Sequence, residues 1–238
     1  MNEIMADMQK LANPAKAQIL SGFFKTGKGQ YGEGDIFLGI TVPVSRSIAK
    51  KYIDAALETI AELLKSRIHE HRLVALLILV EKYQKAKDQA EKKEIFDFYF
   101  ANNDNINNWD LVDLSADKIA GEHLFEEDKA VLYKLAKSEN LWHRRIAIIS
   151  TFNFIKKGKF EDTFAIAEIL MKDRHDLIHK AVGWMLREVG KRNQQAEEEF
   201  LMKHYRKMPR TMLRYAIERL SEDKRKFYMK RGPRIHNI

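Results

Sequence analysis

His71-Arg72-Leu73-Val74-Ala75-Leu76-Leu77 returns along the chain as His143-Arg144-Arg145-Ile146-Ala147-Ile148-Ile149, and again as His179-Lys180-Ala181-Val182-Gly183-Trp184-Met185. The shared form is His, basic, any, β-branched, small, any, aliphatic. From 71 to 143 is 72 residues and from 143 to 179 is 36, so the period is 36 with one copy unaccounted for. That copy should begin at residue 107, where Asn107-Asn108-Trp109-Asp110-Leu111-Val112-Asp113 stands. A weaker copy, Leu213-Arg214-Tyr215-Ala216-Ile217, arrives two residues early.

Between the copies lie amphipathic stretches at Lys92 to Phe100, Asp128 to Lys137, Glu161 to Met171 and Gln194 to Met208. Two helices per period of about 36 residues is the mark of a helical-repeat solenoid. The period is shorter than a typical HEAT repeat and the TPR consensus residues are absent, so the expected fold is all-α and HEAT-like, curved, with a concave basic groove. The small residue of each copy (Ala75, Ala147, Gly183) suits close helix packing. With only four prolines in 238 residues, the rest also reads as helical. An opening helix ends near Ala12, Asn13-Pro14 caps and starts the next, another begins around Thr41-Val42-Pro43, and Ala55 to Lys65 forms one more. Thr26 to Asp35 holds four of the eleven glycines and reads as a loop.

The chain is expected to form one domain over residues 1–238, with a basic and flexible C-terminal end at 223–238. Lys plus Arg number 42 against 34 Asp plus Glu, a formal charge of +8. From Lys203 to Arg234, twelve Lys/Arg face only Glu218, Glu222 and Asp223, so that end carries the whole imbalance. Such asymmetry points to nucleic acid or an anionic membrane; for the last ten residues a solubilising tail is the preferred reading. The absence of cysteine excludes disulfides, thiolate metal sites and cysteine nucleophiles. The start lacks the layout of a secretory signal, and the longest apolar run, Leu73 to Val80, is too short to span a bilayer. A cytoplasmic protein is expected.

Trp109 and Asp113 are four residues apart, which on a helix puts an indole and a carboxylate on one face. Position three of the repeat is Leu73, Trp109, Arg145 and Ala181, with Trp184 one turn after Ala181. Stacked repeats put equivalent positions in a row, so Trp109, Arg145, Trp184 and Asp113 are expected along one stripe of the binding face. A Trp by itself is more often a core residue. Gly27-Lys28-Gly29-Gln30-Tyr31-Gly32 is a formal G-x-G-x-x-G, and Gly22 to Lys28 begins like a Walker A, but Gly29 stands where Ser or Thr should bind magnesium. Neither follows a strand in a βαβ unit, which disfavours nucleotide binding. The loop is either an inert connector or a mobile basic loop whose Lys28 touches a phosphate backbone. His175 and His179 have the spacing of a zinc helix, with Asp176 beside them and no third ligand evident. Lys156-Lys157-Gly158-Lys159 reads as a solvated turn.

Four motifs, in order, resemble the bacterial AlkD-type DNA alkylation repair glycosylases over nearly the whole chain. They are Phe37-Leu38-Gly39-Ile40 followed by Pro43 and Arg46; Trp109-Asp110-Leu111-Val112-Asp113; Leu141-Trp142-His143-Arg144-Arg145; and Lys180-Ala181-Val182-Gly183-Trp184-Met185-Leu186-Arg187-Glu188. The last is the most specific. The resemblance implies a solenoid that cups duplex DNA and excises N3- or N7-alkylated purines by hydrolysing the glycosidic bond. It implies Asp113 as the catalytic carboxylate, Trp109 and Trp184 as paired indoles, and Arg145 as a phosphate contact. Lys180, Arg187, Lys191, Arg46 and Lys28 are expected to extend the phosphate track. No metal, cofactor or membrane is implied, and a monomer in the bacterial cytoplasm, nucleoid-associated when bound, is expected. The chain departs from the family pattern in a longer glycine-rich insertion, in Val42 where a polar residue is expected, and in Phe23 where Tyr is familiar. Some relatives of this fold bind DNA without excision, so a non-catalytic binder of duplex or branched DNA is the alternative, and a protein-binding scaffold the third.

Overall fold

A computed structural model describes residues 3–230, and the chain divides into two compact units that part after His123. The first unit contains α1 (Glu3–Lys10), α2 (Pro14–Phe23), α3 (Val42–Lys51), α4 (Leu57–Leu64), α5 (His69–Lys85), α6 (Gln89–Ala101) and α7 (Trp109–Ser115). The second contains α8 (Ala130–Ala136), α9 (Leu141–Lys156), α10 (Glu161–Leu170), α11 (Asp176–Gly190), α12 (Gln194–His204), α13 (Arg210–Ala216) and α14 (Glu222–Met229). Among the described residues there is no strand, only an isolated bridge between Ile36 and Ile68. The expected all-α repeat fold is therefore what forms. The basic end at 223–238 lies in α14 as far as Met229, and residues 231–238 fall outside the described part.

Helix starts follow from side-chain caps. Asn13, Asp88, Asn108, Asn140, Asn193 and Ser221 each accept a backbone N–H in the first turn of the helix they precede. Every full repeat copy falls in the first turn or two of a long helix: His71 in α5, His143 in α9, His179 in α11. The reason is a polar knot made twice. Ser66 Oγ lies 2.9 Å from His71 Nδ1 and accepts from Ile68 N, while Arg72 Nη1 donates to the Ser66 carbonyl at 2.7 Å. Ser138, His143, Asn140 and Arg144 repeat those bonds, at 3.1 Å for the Ser–His pair and 2.8 Å for the Arg–carbonyl pair. The knot satisfies groups at the helix start that no intrahelical bond can reach. In the third copy, His179 Nε2 donates to the Asp173 carbonyl at 2.6 Å, and Asp173 itself binds Arg144 Nε at 2.6 Å.

α5 is buried on every side from His69 to Val80 and packs against α3, α4, α6 and α7, so it is the axis of the first unit. α11 plays that part in the second, packing on α9, α10, α12 and α13 with one face left open. Gly183 lets α13 close on α11: a Cβ there would sit 2.4 Å from the Met212 carbonyl oxygen. α2 stands apart. It buries none of its residues fully, and Ile19 and Phe23 are 71% and 61% exposed.

Candidate active site

α7 begins where the missing repeat copy was expected. Asn108 caps it, its Oδ1 accepting from Trp109 N at 2.8 Å. Trp109 and Asp113 follow one turn apart, and both are half-buried. The Trp109 ring is stacked on Phe24, with centroids 5.1 Å apart and planes 13° from parallel, and Phe23 meets it edge-on at 5.9 Å. Phe24 in turn stacks on Phe37 at 5.1 Å, and Phe37 on His69 at 4.6 Å. This run of rings fixes the indole plane from behind. Past α7 the chain widens into a π-helical turn, Asp117–Gly121, with Gly121 N donating to the Ala116 carbonyl at 2.8 Å. Ser115 donates to the Leu111 carbonyl at 2.6 Å and lies 3.2 Å from the buried Tyr99 hydroxyl, so the far end of α7 is also pinned.

Beneath the stack is a buried polar cluster that the motifs did not announce. Asp110 accepts from His69 Nε2 at 2.8 Å, and His69 Nδ1 faces Asp35 Oδ2 at 3.3 Å. Asp35 also binds Arg72 Nη2 at 2.7 Å and Asn108 Nδ2 at 3.2 Å. Burial works to raise the Asp35 carboxyl, but the His69 hydrogen bond and the Arg72 charge outweigh it and hold it below the usual range. Alongside, the Glu70 carboxylate accepts three backbone N–H groups, from Leu38, Gly39 and Ile40, at 3.0, 2.8 and 3.2 Å. An apolar cavity of about 320 Å³ opens next to these groups, walled by Leu20, Phe24, Phe37, Ile40, Val42 and Leu73.

In the second unit, Lys180, Trp184 and Arg187 on α11 and Lys191 at its C-cap recur at helical spacing and form a stripe that is half-buried as far as Arg187 and exposed at Lys191. Trp184 is half-buried, its Nε1 donating to Glu188 Oε1 at 3.3 Å and its ring 5.9 Å from that of Phe152. Each cation of the stripe has an acid: Asp176 for Lys180 (2.7 Å), Glu218 for Arg187, Glu188 for Lys191 (2.5 Å). Arg145 is only 5% exposed and donates from Nη1 to the Leu177 carbonyl at 2.6 Å. Position three of the repeat is thus buried in Leu73, Arg145 and Ala181, and half-open in Trp109. Arg46 on α3 and Lys28 in the loop are exposed.

His175 and His179 are occupied with helix capping: His175 Nδ1 accepts from Leu177 N at 3.2 Å, and His179 holds Asp173. Among the described residues, no group of three His, Asp or Glu could hold a metal, and no helix is long and apolar enough to cross a membrane.

No curated protein matches the chain. Among solved structures, one described as "Predicted DNA alkylation repair enzyme from Enterococcus faecalis" is similar, with a TM-score of 0.67 and 20% identity over 89% of this chain and 97% of that one. At that identity the likeness speaks for the fold alone. The family model described as "DNA alkylation repair enzyme" matches residues 4–220, and the chain belongs to that family.

Proposed function

We propose that the protein is a DNA glycosylase that releases N3- or N7-alkylated purines from duplex DNA by hydrolysis. What carries the reading is α7: an indole held rigid by Phe24, with a half-open carboxylate one turn on. A purine alkylated at N3 or N7 is cationic, so it departs with the bonding electron pair of C1′–N and needs no general acid. The demand is to stabilise the oxocarbenium-like sugar left behind. Asp113 is the group for that, and it also orients the water whose oxygen joins C1′ and takes up the proton that water sheds. The Trp109 face attracts the cationic base and packs on sugar C–H groups. The α11 stripe, with Trp184, Lys180, Arg187 and Lys191, is the second unit's surface for the DNA backbone. Arg145, expected as a phosphate contact, is 5% exposed and bound to the Leu177 carbonyl, and is left out of that surface. In the first unit, the exposed Arg46 and Lys28 are the cations for the DNA backbone. The protein acts as a monomer in the cytoplasm.

The test is release of 3-methyladenine and 7-methylguanine from methylated duplex under single-turnover conditions. Asp113→Asn should slow release by roughly 10²- to 10³-fold, the size of a lost electrostatic contact at a transition state. Equal rates for Asp113→Asn and wild type would remove Asp113 from the chemistry. Tight, salt-sensitive binding with no abasic product would assign the same surface to DNA binding alone.

A further inference from the structure

α7 is held to the rest of its unit by groups that begin in the glycine-rich loop, and two separate links run from that loop to Trp109. The first is mechanical. Gly32 lies so close to the Phe24 carbonyl that a Cβ would come within 2.4 Å of it, and Gly32 N donates to the Lys25 carbonyl at 3.1 Å. The loop therefore packs on the backbone of Phe24, the residue whose ring Trp109 stacks on. The second link is polar. Asp35 closes the loop and reaches Trp109's own helix by two routes, directly to the cap Asn108 and through His69 to Asp110.

The geometry at His69 has a chemical consequence. Its two ring nitrogens each face a carboxylate, Asp35 on one side and Asp110 on the other. A neutral imidazole has one N–H and would turn a lone pair toward one of the two acids; only the imidazolium donates to both. The other charged groups around the ring are Arg72, already paired with Asp35, and Glu70, committed to the N–H groups of Leu38 to Ile40; Lys16 lines the adjoining cavity. The aromatic neighbours Phe24 and Phe37 pack against the imidazole at 4.9 and 4.6 Å and leave it 1% exposed. The fold does not need this bridge to join the loop to α5. Ile36 is already tied there by two backbone bonds, to Arg67 (3.0 Å) and His69 (2.8 Å), and Arg72 holds Asp35 independently. What His69 adds is a hold on Asp110, in the first turn of the helix that presents Trp109 and Asp113.

We propose that His69, charged and clamped between Asp35 and Asp110, is a positioning residue that sets the register of α7, so that the glycine-rich loop governs the Trp109–Asp113 pair without touching substrate. The proposal rests on the glycosylase reading only for its effect on rate; its effect on α7 stands apart from that reading. Burial pulls the imidazole down, but the Asp110 charge and the hydrogen bonds to Asp110 and Asp35 push it up to about 9. The charge contributes fully below the ordinary imidazole range and is lost as pH rises through about 9.

Two measurements on the full chain test it, with His69→Gln, which keeps one donor and cannot take a charge, and His69→Phe, which keeps the ring stack alone. Protection of the backbone amides over residues 110–115, taken relative to the intrinsic exchange rate at each pH, should fall at least tenfold in both variants at neutral pH, and in the wild type above about pH 9, while protection of α9 and α11 stays unchanged. Single-turnover excision should fall roughly tenfold to a hundredfold in His69→Gln, as for a misplaced catalytic group, with DNA affinity little altered. The wild type should lose rate through about pH 9, and His69→Gln should lack that alkaline limb. Wild-type exchange over 110–115 in His69→Gln overturns the proposal, whatever the activity. A wild type that excises nothing, with α7 loosened in both variants, overturns the glycosylase reading and upholds the clamp. Should His69→Phe fail to fold, His69→Gln still decides.

Discussion

Replacing Glu70 should cost the first unit more stability than any other single buried acid. Its carboxylate is 1% exposed and caps three consecutive N–H groups in the turn from Leu38 to Ile40. The turn has no other fastening of comparable strength. The Leu38 carbonyl accepts from Asn13 N at 2.7 Å, and Gly39, at φ +84°, abuts the Asn13 carbonyl so closely that a Cβ would lie 2.2 Å away. Through that turn Glu70 ties the start of α5 to the start of α2, which has little packing of its own. A buried donor left without an acceptor costs about 1–3 kcal/mol. Three of them in Glu70→Ala give about 3–9 kcal/mol, with the lower half expected because the adjoining cavity can admit water. Glu70→Gln keeps one carbonyl oxygen for Gly39 and Ile40 but turns an amide N–H on Leu38, so about 1–3 kcal/mol is expected. Domains are stable by about 5–15 kcal/mol, so the alanine variant should remove a large share of the total. The assay is urea unfolding followed by Trp109 fluorescence in a Trp142→Phe, Trp184→Phe background, which leaves the first unit as the sole reporter. An alanine variant within about 1 kcal/mol of its parent would refute the reasoning, as would equal losses for Ala and Gln, since the argument turns on the number of acceptors removed.

Three further outcomes are expected. Gly183→Ala should destabilise the second unit by about 1–3 kcal/mol in the same kind of titration read by circular dichroism, because the new methyl meets the Met212 carbonyl and Tyr215 Cβ at 2.4 and 2.5 Å and forces α13 off α11. Glu197, buried and beside the Glu198 carboxylate, has its carboxyl pushed up to about 8, by burial first and that charge second. The folded chain then binds the extra proton, so stability should fall as pH rises from the ordinary carboxylate range through about 8, and Glu197→Gln should flatten that slope in melting curves between about pH 5 and 9. On α11, Arg187→Ala should lessen the salt dependence of duplex binding by about one unit of log–log slope, the share of one phosphate contact, while Glu218→Gln should tighten binding by freeing Arg187. An unchanged slope in Arg187→Ala would take that residue off the backbone track.

What could be read from the sequence was what the chain settles over short distances. The repeat showed itself because the Ser–His–Arg knot closes within six residues, from Ser66 to Arg72 and, 72 residues on, from Ser138 to Arg144. The His179 bond to Asp173 in the third copy, 36 residues further, is as short in sequence. The asparagine cap of α7 and the Trp109–Asp113 spacing are local in the same way. The support of that pair is not. Asp35 meets Arg72, His69 and Asn108 across 37, 34 and 73 residues, and Asp110 meets His69 across 41. None of those separations is a multiple of the repeat, so periodicity passes over them, and the glycine-rich stretch holding Asp35 looked like an insertion to be crossed. The same limit explains why Arg187 reads as an open phosphate contact, whereas the acids of Lys180 and Lys191, Asp176 and Glu188, stand four and three residues away. Their helical spacing is visible in the sequence, but Glu218, which faces Arg187, is 31 residues away on another element. A motif on one helix names the groups that can reach a substrate; the groups that keep that helix in register come from wherever the fold returns the chain. Here they come from α5, α6 and the loop, through His69, Tyr99 and Asp35, which is why loop residues such as Gly32 and Asp35 should be as intolerant of substitution as Trp109 itself.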